Sequence, residues 1–422
     1  MILDGKDFSK IVYDRNGNVL RITLSEDEKY RIYTHINSAG LLIKETILLK
    51  EDKYFYYHPG VNPISIFRAI YQTYIVKQGK IGGSTITMQL ARLIYDLKTK
   101  TILGKLKQIL SSLYLELYFS KNDILEAYIN IVPCGGNVEG FTAGALIYFE
   151  KDLIDITLQE ALFLSVLPQN PSSYRPKSRL IQGNLIKAQE RLYQLWCKDH
   201  PDMDNNDSKI SMPLNVQYSI PFYAPHYSTS LIEKYKNTRK IYGTIDLQLQ
   251  NTVKRLTERY IQRKKSLGAK NAAVLLVNAD NMQILASLGS GDFFNDEIYG
   301  QVNGTKARRS PGSTLKPFVY ALAMEQGLIH PMTMLKDAPT SFSEYAPDNY
   351  DQDFKGPIKA WKALVTSRNV PAVSLASRIV EPDLYDFLQE TGVGDLKDKD
   401  HYGLSIVLGS TELTMEEIVA LY

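Results

Sequence analysis

Little in this sequence offers a ready-made label. There are only two cysteines in 422 residues, Cys134 and Cys197. They form neither a disulfide framework nor a zinc pattern, and they leave the redox compartment open. Six histidines are scattered without a His-Glu-x-x-His or an i, i+4 pair, which argues against a metal hydrolase. No apolar run of about eighteen residues is free of charge, so no membrane span is encoded. The opening, "MILDGKDFSKIVYDRNG", carries Asp4, Lys6 and Asp7, which leave no room for the apolar region of a secretory signal. Either the protein is cytosolic, or it is an exported protein whose anchor lies outside this text. A net charge of +3 is slight for the length. It gives no support to nucleic-acid binding, and an anionic ligand must be met by a local cluster.

At 422 residues the chain is too long for one ordinary core, and 44% hydrophobic with 23% charged residues reads as folded. Residues 8–35 alternate apolar and polar about Asn16-Gly17, predicting a small hairpin. From about residue 40 to 195 the pattern is helical. In "LKQILSSLYLELYFSKNDILEAYINIV", residues Leu106, Ile109, Leu110, Leu113 and Leu117 recur at spacings of three and four, predicting a helix. "TLQEALFLSVLPQNPSSYRP" predicts a short helix stopped by Pro168 and Pro171. The polar "PDMDNNDS" at 201–208 reads as a linker. Beyond it, 247–264 predicts a helix with Leu249, Val253, Leu256 and Tyr260 on one face, and "NAAVLLVNADNMQILASLGS" predicts two strands about Asp280-Asn281. The expected domains are 1–38 (N-terminal strand and linker region), 39–195, a linker region 196–243, and 244–422.

Two stretches carry chemistry. In "RRSPGSTLKPFVYALAMEQG", Ser313 and Lys316 lie three apart. Pro317 lacks an N–H and is tolerated only in a first helical turn, so Ser313 belongs at a helix N-terminus. There a half-buried lysine is suited to act as base for a serine nucleophile. "ALVTSRNVP" adds Ser367 and Asn369, placed on opposite sides of a strand-like or turn stretch, as proton relay and amide holder. In the other half, "EDKYFYYHPGVNP" opens on paired acids. "GKIGGSTITMQLAR" is a glycine-hydroxyl loop running into a helix. Lys77, Lys80, Arg92, Lys98, Lys100, Lys105 and Lys107 face the single acid Asp96, a cradle suited to a diphosphate.

"RSPGSTLKPFVYALAMEQGLIHP" with "SRNVPAV" resembles the transpeptidase domain of penicillin-binding proteins. The resemblance implies Ser313 as acyl-ester nucleophile, Lys316 as its base, and Ser367 and Asn369 as the second motif. The third motif, Lys-Thr/Ser-Gly, is absent. The first half resembles the peptidoglycan glycosyltransferase domain of family 51. Its first motif is matched by Glu51, Asp52, Phe55, His58 and Gly60. Its second is matched by Gly82 or Gly83 with Ser84, Thr85, Ile86, Thr87, Gln89 and Leu90. "SKNDILEAYIN", "GGNVEGFTAGALIYF" and "EALFLSVLPQNPSSYRP" are similar to later motifs. Where an acid is usual, "GKLKQ" has Gln108; Glu116 lies roughly 80° around an ideal helix from it and offers a substitute. Asn62, Met88 and Glu150 also depart from the usual Asp, Gln and Gly.

The whole chain is thus identified as a member of the class A bifunctional penicillin-binding proteins, most similar to the 1C subgroup. The implied fold is a mainly α, lysozyme-like glycosyltransferase domain, followed by an α/β, β-lactamase-like transpeptidase domain truncated at its C-terminus. The implied activity is polymerisation of lipid II with Glu51 as catalytic acid/base, and acyl transfer through Ser313. His58, Ser84, Thr85, Gln89, Arg92, Lys98, Lys105, Gln108 and Glu116 are the implied substrate-binding residues. The resemblance implies no organic cofactor and admits a divalent cation, Mg or Mn, at the diphosphate. Its partners are lipid II, the nascent glycan strand, stem peptides, β-lactams and the membrane surface, with no nucleic acid. Its place is the outer face of the bacterial cytoplasmic membrane, the anchor helix lying outside this chain. Two alternatives are a scaffold relative that binds peptidoglycan without turnover, which Gln108 favours, and a muramidase-like hydrolase, which a diphosphate cradle disfavours.

Overall fold

The computed structural model describes residues 2–64, 83–99, 101–174, 183–201, 216, 218–342 and 345–422. Lys77, Lys80, Gly82, Lys100 and most of the expected 201–208 linker lie outside the described residues. The chain divides into two compact units: residues 1–13, 17–223 and 231–243, and residues 14–16, 224–230 and 244–422.

In the first unit the hairpin forms as its alternation predicts. Strand β1 (Ile11–Tyr13) pairs antiparallel with β2 (Val19–Ile22), with Val12 opposite Arg21. Strand β3 (Tyr30–Arg31) joins a second small sheet. There Arg31 is buried and holds Glu139 at 2.6 Å and Asp27 at 2.8 Å. Residues 2–13 and 17–38 therefore belong to this unit, and Phe8, Ile11 and Ile22 are buried in its core. Helix α1 (Leu41–Glu51) is followed by α2 (Ile86–Ile94), α3 (Ile102–Tyr118) and α4 (Lys121–Ile131). After β4 (Pro133–Gly135) and β5 (Val138–Glu139) come α5 (Phe141–Phe149), α6 (Leu158–Val166) and α7 (Gly183–Asp199). Strand β6 (Lys240–Tyr242), within the stretch expected as linker, pairs parallel with β1.

Helix starts follow their capping residues. Thr85 and Thr101 accept from the backbone N–H groups of Met88 and Gly104. Ser120 with Asp123, and Thr157 with Glu160, form reciprocal capping boxes. Helix α6 ends at Val166, followed by a 3-10 turn containing Pro168. Glu150 ends α5 in the left-handed region (φ 56°), where the glycine usual at this position would be unstrained. Cys134 is buried, its thiol directed at the carbonyls of Val132 and Gly140, while Cys197 on α7 is exposed; both are free thiols.

The helix predicted from the leucine spacing forms as α3. The α3 leucines at 106, 110, 113 and 117 face outward, with Leu110 66% and Leu117 76% exposed. The buried face is Gln108, Ser112 and Leu115. Two contacts fix this orientation. The Gln108 amide donates to the Met88 carbonyl of α2. Gly60, at φ +84°, also lies so near that a Cβ there would meet the Ser112 carbonyl oxygen at 2.9 Å. Among the described residues no helix is long and apolar enough to cross a membrane.

In the second unit, helix α8 (Leu247–Lys264) packs on β8 (Ile284–Leu288), which pairs antiparallel with β7 (Val274–Val277) as expected. Again the apolar stripe is not the inward one. Leu249, Leu256 and Tyr260 are exposed, while Gln250 and Thr257 are buried. Gln250 explains it, since its amide donates to the Ser287 carbonyl and accepts from the Ser287 N–H, at 3.0 and 2.8 Å. A 3-10 turn, Gly312–Leu315, leads into α9 (Lys316–Glu325). Strands β9 (Met334–Asp337) and β10 (Gly356–Lys359) form an antiparallel pair, then α10 (Ala360–Val365) and α11 (Asn369–Ala376) follow. Val319, Tyr320 and Ala323 of α9 share one core with Ala372, Val373 and Leu375 of α11.

Candidate active sites

Glu51 is the last residue of α1, and the chain turns sharply after it. Its Oε2 accepts from Gln89 Nε2 at 2.6 Å, and Gln89 Oε1 accepts from the Tyr128 hydroxyl at 3.2 Å. Tyr128 is fully buried and its hydroxyl is held well above its ordinary pKa, by burial and then by Glu51, so it remains a donor and fixes which way the amide faces. Burial pushes the Glu51 carboxyl upward, and Asp52 adds to this; the Gln89 hydrogen bond and Lys50 pull it back. A carboxyl raised in this way is suited to accept and return a proton.

The cations sit on the same side of α2. Lys105 Nζ donates to Ser84 Oγ at 2.8 Å and to Gln108 Oε1 at 2.9 Å. Burial lowers the Lys105 pKa, and the neighbouring charge of Arg92 lowers it further. Arg92 follows Gln89 by three residues, so the two share a flank of α2. Lys98 and Lys107 are exposed, and the structure does not join them to this group. Ser84, Lys105 and Gln108 thus form one hydrogen-bonded group and Gln89 with Glu51 and Tyr128 another, and the charge of Arg92 reaches both, acting on Lys105 and on the Tyr128 hydroxyl.

His58, Thr85 and Glu116 are placed instead in the supporting frame. His58 is buried with Nε2 3.0 Å from Asp52 Oδ1, and Asp52 Oδ2 accepts from the Ile86 N–H at the start of α2. Thr85 caps α2 and donates to the Gly60 carbonyl at 2.5 Å. Glu116 pairs with Lys121 at 2.7 Å and accepts from Thr87 at 2.6 Å, so it is not free to take the part of an acid at position 108. Lys121 also donates to the His58 carbonyl and lies over the Phe55 ring. Asp52 entered the sequence reading only as a motif position without a role, and Lys121 and Tyr128 did not enter it. Asp52 was legible in the motif beside Glu51; the other two are tertiary contacts with no local signal. Among the described residues no three His, Cys, Asp or Glu side chains gather as metal ligands.

In the second unit Ser313 is exposed within the 3-10 turn, one turn before Lys316. Lys316 is 1% exposed. Its Nζ donates to Asn369 Oδ1 at 2.6 Å, to the Ser367 carbonyl at 2.6 Å and to Ser367 Oγ at 3.2 Å. Burial, then the charge of Arg368, lowers its pKa from 10.5 to about 8. Of the strand-like and turn alternatives for 363–371 the structure has the turn, and the placement of Ser367 and Asn369 on opposite sides is corrected here. Ser367 lies in a turn between α10 and α11 with φ 53°, and Asn369 opens α11. This geometry brings both side-chain oxygens to one ammonium rather than to opposite sides. Arg368 between them is buried and holds Asp337 at 2.8 Å and both oxygens of Asp351. Asn349 accepts from the Asn369 N–H and donates to Asp337. Neither Arg368 nor Asn349 announced itself in the sequence, because their partners are distant along the chain.

Comparison with known proteins agrees with both halves. The Transglycosylase family model matches residues 16–195, and the Penicillin binding protein transpeptidase domain model matches residues 272–412. Penicillin-binding protein 1C of Escherichia coli K12 is 32% identical over 419 residues, covering 98% of this chain and 53% of that protein. Penicillin-binding protein 1F of Bacillus subtilis 168 is 30% identical over 426 residues, covering 96% and 57%. The crystal structure of penicillin-binding protein 1A from Haemophilus influenzae aligns with a TM-score of 0.48 at 15% identity, covering 98% of this chain and 67% of that one. The chain spans about half the length of these two curated relatives. A transglycosylase domain preceding a transpeptidase domain defines the class: a helical glycosyltransferase domain, then an α/β penicillin-binding domain. The chain belongs to the class A bifunctional penicillin-binding proteins.

Proposed function

We propose that this protein builds peptidoglycan, and that its first unit polymerises lipid II into glycan strands. The observation that carries the reading is a carboxyl held raised by burial at Glu51 and oriented through Gln89 and Tyr128, with Arg92 acting electrostatically on both Tyr128 and Lys105. Glu51 takes the proton from an acceptor-sugar hydroxyl as that oxygen attacks the anomeric carbon. The bond to the lipid diphosphate breaks, and its electron pair leaves on a phosphate oxygen. Lys105, partly buried and held by Ser84 and Gln108, and the exposed Arg92 meet the growing negative charge there. A divalent cation, Mg or Mn, would be held here chiefly by the oxygens of the diphosphate itself, where it would add to the charge of Lys105 and Arg92.

The second unit acts on stem peptides. Ser313 attacks the D-Ala-D-Ala amide carbonyl, or a β-lactam in its place, while neutral Lys316 accepts the hydroxyl proton. With a pKa near 8, about a tenth of Lys316 is neutral at pH 7, far more than for an ordinary lysine. Ser367 relays protons, and Asn369 holds both Lys316 and the substrate amide. The place of action is the outer face of the cytoplasmic membrane. The outward leucine stripe of α3, which no described residue covers, supports contact with the lipid surface that supplies lipid II.

Glu51→Gln tests the first activity with purified protein and labelled lipid II. Polymer formation is expected to vanish while the far-ultraviolet circular dichroism is unchanged. Normal strand formation would remove Glu51 from the mechanism.

A further inference from the structure

Gln108 stands where the resembling domains carry an acid, and its surroundings say what an amide does there. The side chain is 2% exposed. Its two ends meet opposite partners: Nε2 donates to the Met88 carbonyl at 2.6 Å, and Oε1 accepts from Lys105 Nζ at 2.9 Å. The second hydrogen bond of Lys105, to Ser84 Oγ, aims the ammonium along the glycine-hydroxyl loop. An ammonium has three donors, and these contacts use two.

A carboxylate could not serve both ends. It has no hydrogen for the Met88 carbonyl, so two buried oxygens would face each other at hydrogen-bonding distance. On its other side it would neutralise Lys105, the charge available for a phosphate. Glu116, engaged by Lys121 and Thr87, does not supply the missing acid.

We propose that Gln108 is a positioning residue: its amide aims Lys105 at the leaving diphosphate and leaves that cation unneutralised, and no acid operates from this position. The proposal rests on the polymerase reading above. Gln108 acts through Lys105 and touches no reacting atom.

The test compares the wild-type chain with Gln108→Glu, Lys105→Met, the double variant and Glu51→Gln. Lipid II polymerisation is measured together with equilibrium binding of undecaprenyl diphosphate in detergent. Gln108→Glu is expected to lower kcat and the diphosphate affinity about tenfold each, the scale of one charge-assisted contact. The double variant should be no worse than Lys105→Met, because both remove the same interaction. A Gln108→Glu protein as fast as wild type or faster would overturn the proposal, because an acid there would then serve. So would unchanged diphosphate affinity or additive losses. If Gln108→Glu does not fold, Gln108→Met takes its place, with the same expected fall in affinity and the same refutation. Failure of the polymerase reading looks different: wild type and Glu51→Gln would then be equally inactive, and the proposal would fall with it.

Discussion

The burial of Lys316 has a measurable thermodynamic signature. In the folded chain its pKa falls to about 8, against 10.5 when exposed. At about 1.4 kcal/mol per pKa unit the gap corresponds to about 3 kcal/mol against the charged form. Below pH 8 both folded and unfolded states carry the proton, and the folded state bears the whole penalty. Between pH 8 and 10.5 the unfolded chain binds more protons, so stability rises with pH. About 2.5 kcal/mol of the penalty should lift between pH 7 and pH 10. Lys316→Met removes the titration and leaves the tyrosines and other groups in place. Urea unfolding of the second unit, followed for both proteins across that range, should show wild type gaining about 2.5 kcal/mol on the variant. The sign of the difference at pH 7 is immaterial, because lost hydrogen bonds to Ser367 and Asn369 offset it. A difference that stays constant with pH would refute the reasoning, and would mean that Lys316 titrates as an ordinary lysine.

Gln89→Met removes the hydrogen bond that draws the Glu51 pKa down. The acid limb of polymerisation should move to higher pH; an unmoved limb in the pH–rate profile would show that Gln89 does not set Glu51's basicity. Leu106→Lys with Leu110→Lys places charge in the outward stripe of α3. Partition onto vesicles should fall at least tenfold, from roughly 1.5 kcal/mol or more of apolar burial per leucine, and undiminished co-sedimentation would show that this face does not meet lipid.

Local chemistry in the sequence was enough to place several parts of both sites. The Asn16-Gly17 hairpin, the Asp280-Asn281 strand turn and the start of the Ser313 helix each follow from a turn or proline requirement within a few residues. Periodicity correctly made 102–118 a helix and grouped its leucines on one face. It could not say which way that face points, because a stripe for a protein core and a stripe for lipid are written in the same residues. What settles the matter is the Gln108 amide on the Met88 carbonyl, a contact made across two helices. The same holds for α8, turned by Gln250 on β8. Around Ser367 the failure was local: a left-handed serine carries no mark in sequence. Arg368 was missed because its salient partner, Asp337, lies 31 positions away.

The two cysteines have a practical consequence. Cys134 sits where no reagent reaches it, and burial pushes its thiol far above the range at which it ionises near neutral pH. Cys197 stands alone at the surface. A maleimide dye should therefore mark the native chain at one known point on α7 without mutagenesis, so that the first unit can be followed optically while its sister thiol stays dark until the core comes apart.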